Sequence, residues 1–349
     1  MNLKRLWAMF TARNHEFFRD RSALGWNFIF PFLLVGGFAL IFGGEGRKEY
    51  KVGIFPMAQE ELAATDNGVP PRFLNTRHVE FIAFKDQETA LTKLMHHKID
   101  FLLKAGSTPH QYWVSSTSPR GYFVEKIFKS SLVSEADDRL SDRKEVKGRE
   151  IRYIDWFFPG ILAMNMMFSA LWGVGYIVVR YRKNGVLKRL KATPLTSLEY
   201  LAAQTLSRIF LLMFTLVVVW VGCDLVFSFH MEGSYIDLFI VFFMGGASLT
   251  SLGLLIASRG TSEEFTSGIL NFITWPMMFL SEVWFSLEGS PQWIKLAAKI
   301  FPLTHMLTAA RRVMNDGAGL LNILPELLVM ACMIVVFLSS GAILFSWRK

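Results

Sequence analysis

Apolar residues in this chain gather into long runs and do not recur at amphipathic helical or strand spacing. The runs lie at about Trp26–Phe42, Trp156–Val179, Tyr200–Phe227, Ile236–Ala257, Phe265–Phe285 and Ile323–Phe345. A helix needs roughly 20 apolar residues to cross a bilayer, so the pattern predicts six spans. Pro31 falls inside the first run, where neighbouring helices can re-satisfy the backbone it disturbs. Gly36 and Gly37 in the same run permit close approach by another helix.

Between these runs the pattern changes. Over residues 2–21, Leu3, Leu6, Trp7, Phe10, Phe17 and Phe18 follow three-and-four spacing. Lys4, Arg5, Arg13, Arg19 and Arg21 take other positions. This predicts an amphipathic helix suited to the membrane–water interface; a surface helix packed on protein is the alternative. It is too long and too patterned for a cleavable leader, and the run after it lacks a small-x-small cleavage site.

Residues 45–152 are polar and nearly balanced in charge, with 18 Lys or Arg against 16 Asp or Glu. Strands are expected at Tyr50–Phe55, Val79–Phe84, Ile99–Lys104 and Gln111–Ser116, and helices at Gln87–His97 and Gly121–Arg139. A loop is expected over Thr65–Thr76, which holds Gly68, Pro70 and Pro71. The charged stretch Asp137–Arg152 should extend the last helix to the membrane. The expected fold is therefore an all-α transmembrane domain of six spans with an amphipathic N-terminal helix and an inserted small α/β domain. The divisions are 1–44, 45–152 and 153–349. The stretch holding Pro291, Trp293, Pro302 and His305 reads as too broken and too polar to span.

Charge adds orientation. The chain has 349 residues and a formal charge of +8. On a soluble protein that balance would raise nucleic acid as a partner. Here the cations flank the apolar runs, so topology and anionic lipid explain them better. Five Lys or Arg lie in the N-terminal segment, six in 180–191 and two at the C-terminus, while Ser228–Tyr235 has none. The positive-inside rule places the basic flanks and both termini in the cytoplasm and 45–152 outside.

The sequence lacks a Gly-x-x-x-x-Gly-Lys-Ser/Thr loop, a His-Glu-x-x-His motif, paired Cys-x-x-Cys and Gly-x-Ser-x-Gly, so no enzyme constellation stands out. His96–His97 are read as a solvated pair before a metal site. Cys223 and Cys332 lie in apolar runs and read as free thiols. Among intramembrane polar residues, Asn165 and Asn271 suit interhelical hydrogen bonds. Asp224, near the outer end of its span, and Arg208, near the inner end of the same span, read as meeting water or headgroups.

The most informative stretch is Arg180–Ser207, RYRKNGVLKRLKATPLTSLEYLAAQTLS. A basic short helix stops at Thr193-Pro194, because Pro cannot continue a helix interior. Ser197 can cap the helix that follows. On charge alone this is a topology anchor. A basic patch leading into Thr-Pro-Leu before a span, however, resembles the cytoplasmic loop of type-2 ABC exporter permeases. A second block resembles the same family: Pro276-Met-Met-Phe-Leu-Ser-Glu-Val-Trp-Phe, Leu287-Glu-Gly-Ser-Pro-Gln-Trp, Phe301-Pro-Leu-Thr-His and Ala309-Ala-Arg-Arg. The resemblance covers nearly the whole chain and is loose within 57–75. The chain departs from the family pattern at Glu282, where Gly is common, and at Ser286, where Pro is frequent. Glu282 reads either as a functional carboxylate or as one near the outer mouth within reach of water.

The resemblance implies a dimer of permeases docked on two ABC-type ATPase subunits. ATP and Mg would be held by those ATPases and no cofactor by this chain. A coupling helix is expected over Arg182–Thr193, with Arg182, Lys183, Val186, Leu187, Arg189, Leu190, Thr193 and Pro194 facing the ATPase. Re-entrant outer helices are expected at Met277–Phe285 and Gln292–Ile300, with Pro276, Ser281, Glu282, Trp284, Phe285 and Pro302 at an outer gate. It further implies a bacterial inner-membrane location, contact with membrane lipid, and export of a hydrophobic, drug-like or lipid-like substrate. The outer domain is compatible with a periplasmic adaptor. Nucleic acid is not an expected partner. Two rivals stand beside this reading. A gradient-driven transporter would show paired mid-membrane charges and repeated halves. An ATPase-linked anchor or signalling subunit would bind through its outer domain without transport.

Overall fold

The chain divides into two compact units, Met1–Gly43 with Glu150–Lys349, and Gly44–Arg149. The computed structural model describes residues 2–42, 49–63, 68–96, 98–107, 109–132, 152–260 and 262–345.

The first unit is helical. Helix α1 (Leu3–Arg19) starts at Asn2, whose side chain accepts from the Lys4 amide at 3.1 Å. It buries Leu6 and Arg13 and leaves Leu3, Trp7 and Phe18 exposed. Helix α2 (Arg21–Phe42) carries Pro31 without breaking. It buries Val35 but exposes Trp26, Ile29, Leu33, Leu40 and Ile41. That is an inversion of soluble packing, and lipid accounts for it.

Helix α6 (Tyr153–Ala170) continues through one π-helical stretch, Leu171–Tyr176, into α7 (Ile177–Lys183). This continuous path is the packed centre of the unit, with Phe157, Phe158, Ile161, Met167, Leu171 and Val174 all buried. Around it lie α9 (Ser197–Phe227), α10 (Tyr235–Arg259), α11 (Glu263–Leu280), α13 (Pro302–Asp316) and α14 (Leu324–Leu344). Short helices α8 (Val186–Lys191) and α12 (Gln292–Ala298) complete the unit.

Among the described residues, five helical stretches are long and apolar enough to cross a membrane: Leu24–Ile41, Tyr153–Lys183, Glu199–Phe227, Tyr235–Ser258 and Leu324–Leu344. The fifth expected run, Phe265–Phe285, is not among them. Its helix α11 opens with Glu263 and Glu264, carries Asn271, and stops at Leu280.

The second unit is a four-stranded sheet in the order β2-β1-β3-β4, formed by β1 (Tyr50–Phe55), β2 (Val79–Ala83), β3 (Phe101–Lys104) and β4 (Tyr112–Val114). Strand β1 runs parallel to β2 and β3, and β4 is antiparallel to β3. Alternation along the strands feeds two cores, as a mostly parallel sheet requires. Val52, Ile54, Phe101 and Leu103 pack with Phe73 of α3 (Pro71–Leu74) and with Val124 and Phe128 of α5 (Pro119–Ser131). Phe55 and Leu102 pack with Ala90 and Leu94 of α4 (Gln87–Met95).

Helix α5 starts two residues earlier than its expected bound. Ser118 accepts from the Gly121 amide at 3.0 Å, and Pro119 occupies the first turn, where a missing N–H costs nothing. Hydrogen bonds from Lys129 and Tyr112 hold the Glu125 carboxyl below its ordinary range. The expected extension of this helix over 137–151 lies outside the described residues, as does His97.

Candidate functional site

The basic connection between α7 and α9 is built around Gly185. Its φ of +69° is a left-handed geometry that glycine adopts freely. Helix α7 therefore ends at Lys183, and α8 begins afresh at Val186. The expected helix over Arg182–Thr193 is thus shorter than the sequence suggested. Arg182 and Lys183 belong to the last turn of α7, while Thr193 and Pro194 form the turn after α8.

These residues divide into anchors and presented groups. Leu187 is fully buried, with Leu190 packed beside it, in a cluster with Val178, Val179, Tyr200, Leu254 and Ala257. Arg182 donates to the carbonyls of Ala257 and Ser258, both at 3.1 Å, and to that of Gly260. It thereby satisfies the last turn of α10, whose carbonyls lack intrahelical partners. Lys183 pairs with Glu263 at 3.4 Å, tying α7 to the first turn of α11. Lys188, Arg189, Lys191, Thr193 and Pro194 are exposed, and Val186 is half-buried.

The start of α9 is locked to the same end. Thr196, one residue before the expected Ser197, caps the helix in a reciprocal box with Glu199. Glu199 also accepts from the Asn2 amide at 2.6 Å, and Arg5 donates to the Pro194 carbonyl at 2.5 Å. Helix α1 is thus packed on protein at its start, while its Trp7 side remains exposed.

The opposite end of the unit gathers the second set. Helix α11 passes unbroken through Pro276, so Met277–Leu280 form its last turn and not a separate re-entrant helix. Glu282, at φ +60°, turns the chain in a geometry that an α-helix cannot continue. The second expected re-entrant helix ends at Ala298. Phe301 then opens α13, with Pro302 at its first position. The stretch expected to be broken and polar holds more order than its composition suggests. It is an amphipathic helix whose Leu303, Met306, Ala310 and Val313 are fully buried.

Arg311 of α13 is the hub here. It stacks over Trp156 at 3.7 Å, donates to the Glu282 carbonyl at 2.8 Å and the Trp156 carbonyl at 3.2 Å, and faces the Glu282 carboxylate at 3.7 Å. The other Glu282 oxygen accepts from the Leu287 amide at 2.8 Å. Glu282 therefore holds a turn. Ser281 and Thr304 share a 2.8 Å hydrogen bond, and the Tyr153 hydroxyl donates to the Trp284 carbonyl at 3.2 Å. Trp284 packs against Phe157 and Phe38, while Phe285 is exposed beside Phe279.

Arg311 carried no signal beyond its place in Ala-Ala-Arg-Arg. Asn165 donates to the Asn27 carbonyl at 3.3 Å, an interhelical bond, whereas Asn271 is exposed. Asp224 accepts from the Phe229 amide at 3.0 Å and closes the end of α9.

A bundle of apolar helices with lipid-suited outer faces and a basic short helix at one end marks a multi-pass membrane protein. The family model for the ABC-2 family transporter protein matches residues 21–343, and the chain belongs to that family as a type-2 ABC transporter permease. It is 22% identical to the daunorubicin resistance ABC transporter permease protein DrrB1 of Streptomyces coeruleorubidus, over 53% of this chain and 66% of that one. It is 26% identical to the inner membrane transport permease YhhJ of Escherichia coli, over 50% of this chain and 47% of that one. The match thus spans about half to two thirds of the length of these relatives.

Proposed function

We propose that this chain is the membrane-spanning subunit of an ATP-binding-cassette exporter, driven by a separate ABC-type ATPase that docks on the α8 end. The observation that carries this reading is the construction of α8. Its outer face offers Lys188, Arg189 and Lys191, while Leu187 anchors its inner face. Arg182 joins the end of α7 to the end of α10, and Lys183 joins it to α11. A push on α8 is therefore delivered to three long helices together. Coupling of this kind needs two helix arrangements that the ATPase binds differently.

The same reading makes α11 the sixth crossing. Its first turn meets Lys183, and its last turn is followed by Ser281 bonded to Thr304 at the other end. The α8 end is cytoplasmic by the positive-inside rule, with both termini on that side, and the membrane is a bacterial inner membrane. The turn 281–301 with α12 closes the outer end around Trp284 and Phe285. Asn271 lies exposed among Phe272 and Trp275 on α11. An amide is costly against lipid, so this face suits a second permease. ATP and Mg belong to the ATPase. The cargo is a hydrophobic, drug-like or lipid-like compound, handed outward with or without an adaptor.

Affinity purification of the tagged chain from its native membrane, followed by mass spectrometry, tests the reading. Recovery of a P-loop ATPase of the ABC type is expected. Reproducible recovery with no such ATPase, under conditions that preserve other ABC complexes, overturns it.

A further inference from the structure

A cavity of about 660 Å³ opens between α1, α2, the π-helical stretch and α9. Two arginines lie buried in its wall, and they differ. Arg13 is satisfied: it pairs with Glu16 at 2.6 Å and donates to Gln204 at 3.0 Å, to the Tyr181 hydroxyl at 2.7 Å and to the Gly173 carbonyl at 3.2 Å.

Arg208, expected to meet water or headgroups, is instead 7% exposed, and among the described residues its one hydrogen bond runs from Nη2 to the Ser169 hydroxyl at 2.5 Å. Its Nε is buried with no partner, and no described carboxylate lies within ion-pair distance of it. The backbone makes room for this group. A methyl placed on Gly173 would overlap the Arg208 guanidinium, and Gly173 sits in the π-helical stretch. Such insertions are frequent at functional sites.

A buried cation lacking an anion is costly. The remaining wall indicates what would relieve it. Trp26, Phe30, Phe168 and Trp172 line the cavity, and Trp26 is 70% exposed at its edge. The other charged lining groups, Glu16, Asp20 and Arg180, are exposed. Depth therefore offers a guanidinium, and the sides offer aromatic surface.

We propose that this cavity binds a membrane amphiphile, its anionic phosphate or carboxylate head on Arg208 and its apolar chain along Phe30, Phe168 and Trp172. The site stands on the cavity itself and holds whether or not the chain couples to an ATPase.

The test reconstitutes the full chain in phosphatidylcholine bilayers and adds a minor fraction of brominated lipid, reading tryptophan quenching. Brominated phosphatidylglycerol should quench more than brominated phosphatidylcholine, and W172F should remove most of that excess. R208Q should weaken the phosphatidylglycerol preference about tenfold, the range expected for a charge-assisted hydrogen bond, while R208K should retain most of it. Equal quenching by the two lipids in the unaltered chain overturns the proposal, whatever the variants do. An undiminished preference in R208Q also overturns it. Displacement of brominated phosphatidylglycerol by inorganic phosphate at comparable concentration overturns the assignment to an amphiphile and leaves a free-anion site.

Discussion

Two arginines in the helical unit, Arg208 buried and Arg311 with a side chain 12% exposed, show opposite solutions to the same problem. Arg311 sits in a closed network of an aromatic face, two backbone carbonyls and a carboxylate. Arg208 sits in an open one, with a single hydroxyl and a cavity beside it. A closed network fixes geometry, because every partner is already inside the fold. An open network leaves capacity for something that arrives later. The end built on Arg311 therefore reads as framework, and the cleft built on Arg208 as a place to bind.

The largest effect should come from breaking the closed network. R311A strips Glu282 of its cation and Trp156 of its stacking partner. Arg311's two hydrogen bonds to carbonyls come from a charged donor and contribute about 1.5–3 kcal/mol each, and its contact with the Trp156 ring contributes about 1 kcal/mol more, so most of the protein should be lost from the monodisperse peak in detergent size-exclusion chromatography. R182A comes next. It leaves three carbonyls at the end of α10 unpaired, at about 1–3 kcal/mol for each group that stays buried. Hydrogen exchange should rise in α8 and at the end of α10, with little change in α13.

The open network predicts a smaller effect of the other sign. R208M removes a buried charge with no described carboxylate beside it, and the desolvation cost thereby lifted offsets the lost hydrogen bond to Ser169. Its thermal midpoint in neutral detergent should equal or exceed that of the unaltered chain. Added phosphatidylglycerol should raise the midpoint of the unaltered chain alone, as linkage requires of a ligand held by the folded state.

The smallest change is expected for E282G. Glycine at φ +60° relieves about 1 kcal/mol of backbone cost, which offsets the loss of the carboxylate contacts. A midpoint shift of more than a few degrees would mean that Glu282 does more than hold the turn.

Five of the six expected spans were legible because apolar runs of bilayer length leave few alternatives, whereas the run Phe265–Phe285 yields a helix that is not long and apolar enough. The shift of the α9 cap from Ser197 to Thr196 follows from Glu199 completing a capping box. Other features were hidden. Gly185 divides the basic stretch, and Asn184-Gly185 is a turn signal that is obscured when the surrounding cations are read as one helix. Pro276 suggests an interruption, yet α11 continues through it. Helix α13 was missed because Pro302, His305 and two arginines read as loop chemistry. Its apolar positions fall on one face only once the helix is drawn, and that face is buried by α6 and α10. Glu282 has a plain physical reading: it adopts a positive φ that glycine takes freely, and Arg311 and the Leu287 amide hold a glutamate in that turn. The placement of Arg208 in the wall of a cavity had no sequence signal, since it depends on which side chains from four separated segments meet.

On the proposed function, α8 receives force from an ATPase through its exposed cations. The most direct test measures ATP hydrolysis by the purified complex in lipid nanodiscs, with the unaltered chain and with Lys188, Arg189 and Lys191 all changed to Glu. These side chains are exposed, and Arg180, Arg182 and Lys183 remain to hold the topology, so the variant should fold and insert normally, yet permease-stimulated hydrolysis should fall to the level of the isolated ATPase. Stimulation equal to that of the unaltered chain would contradict the account and move the point of contact away from α8.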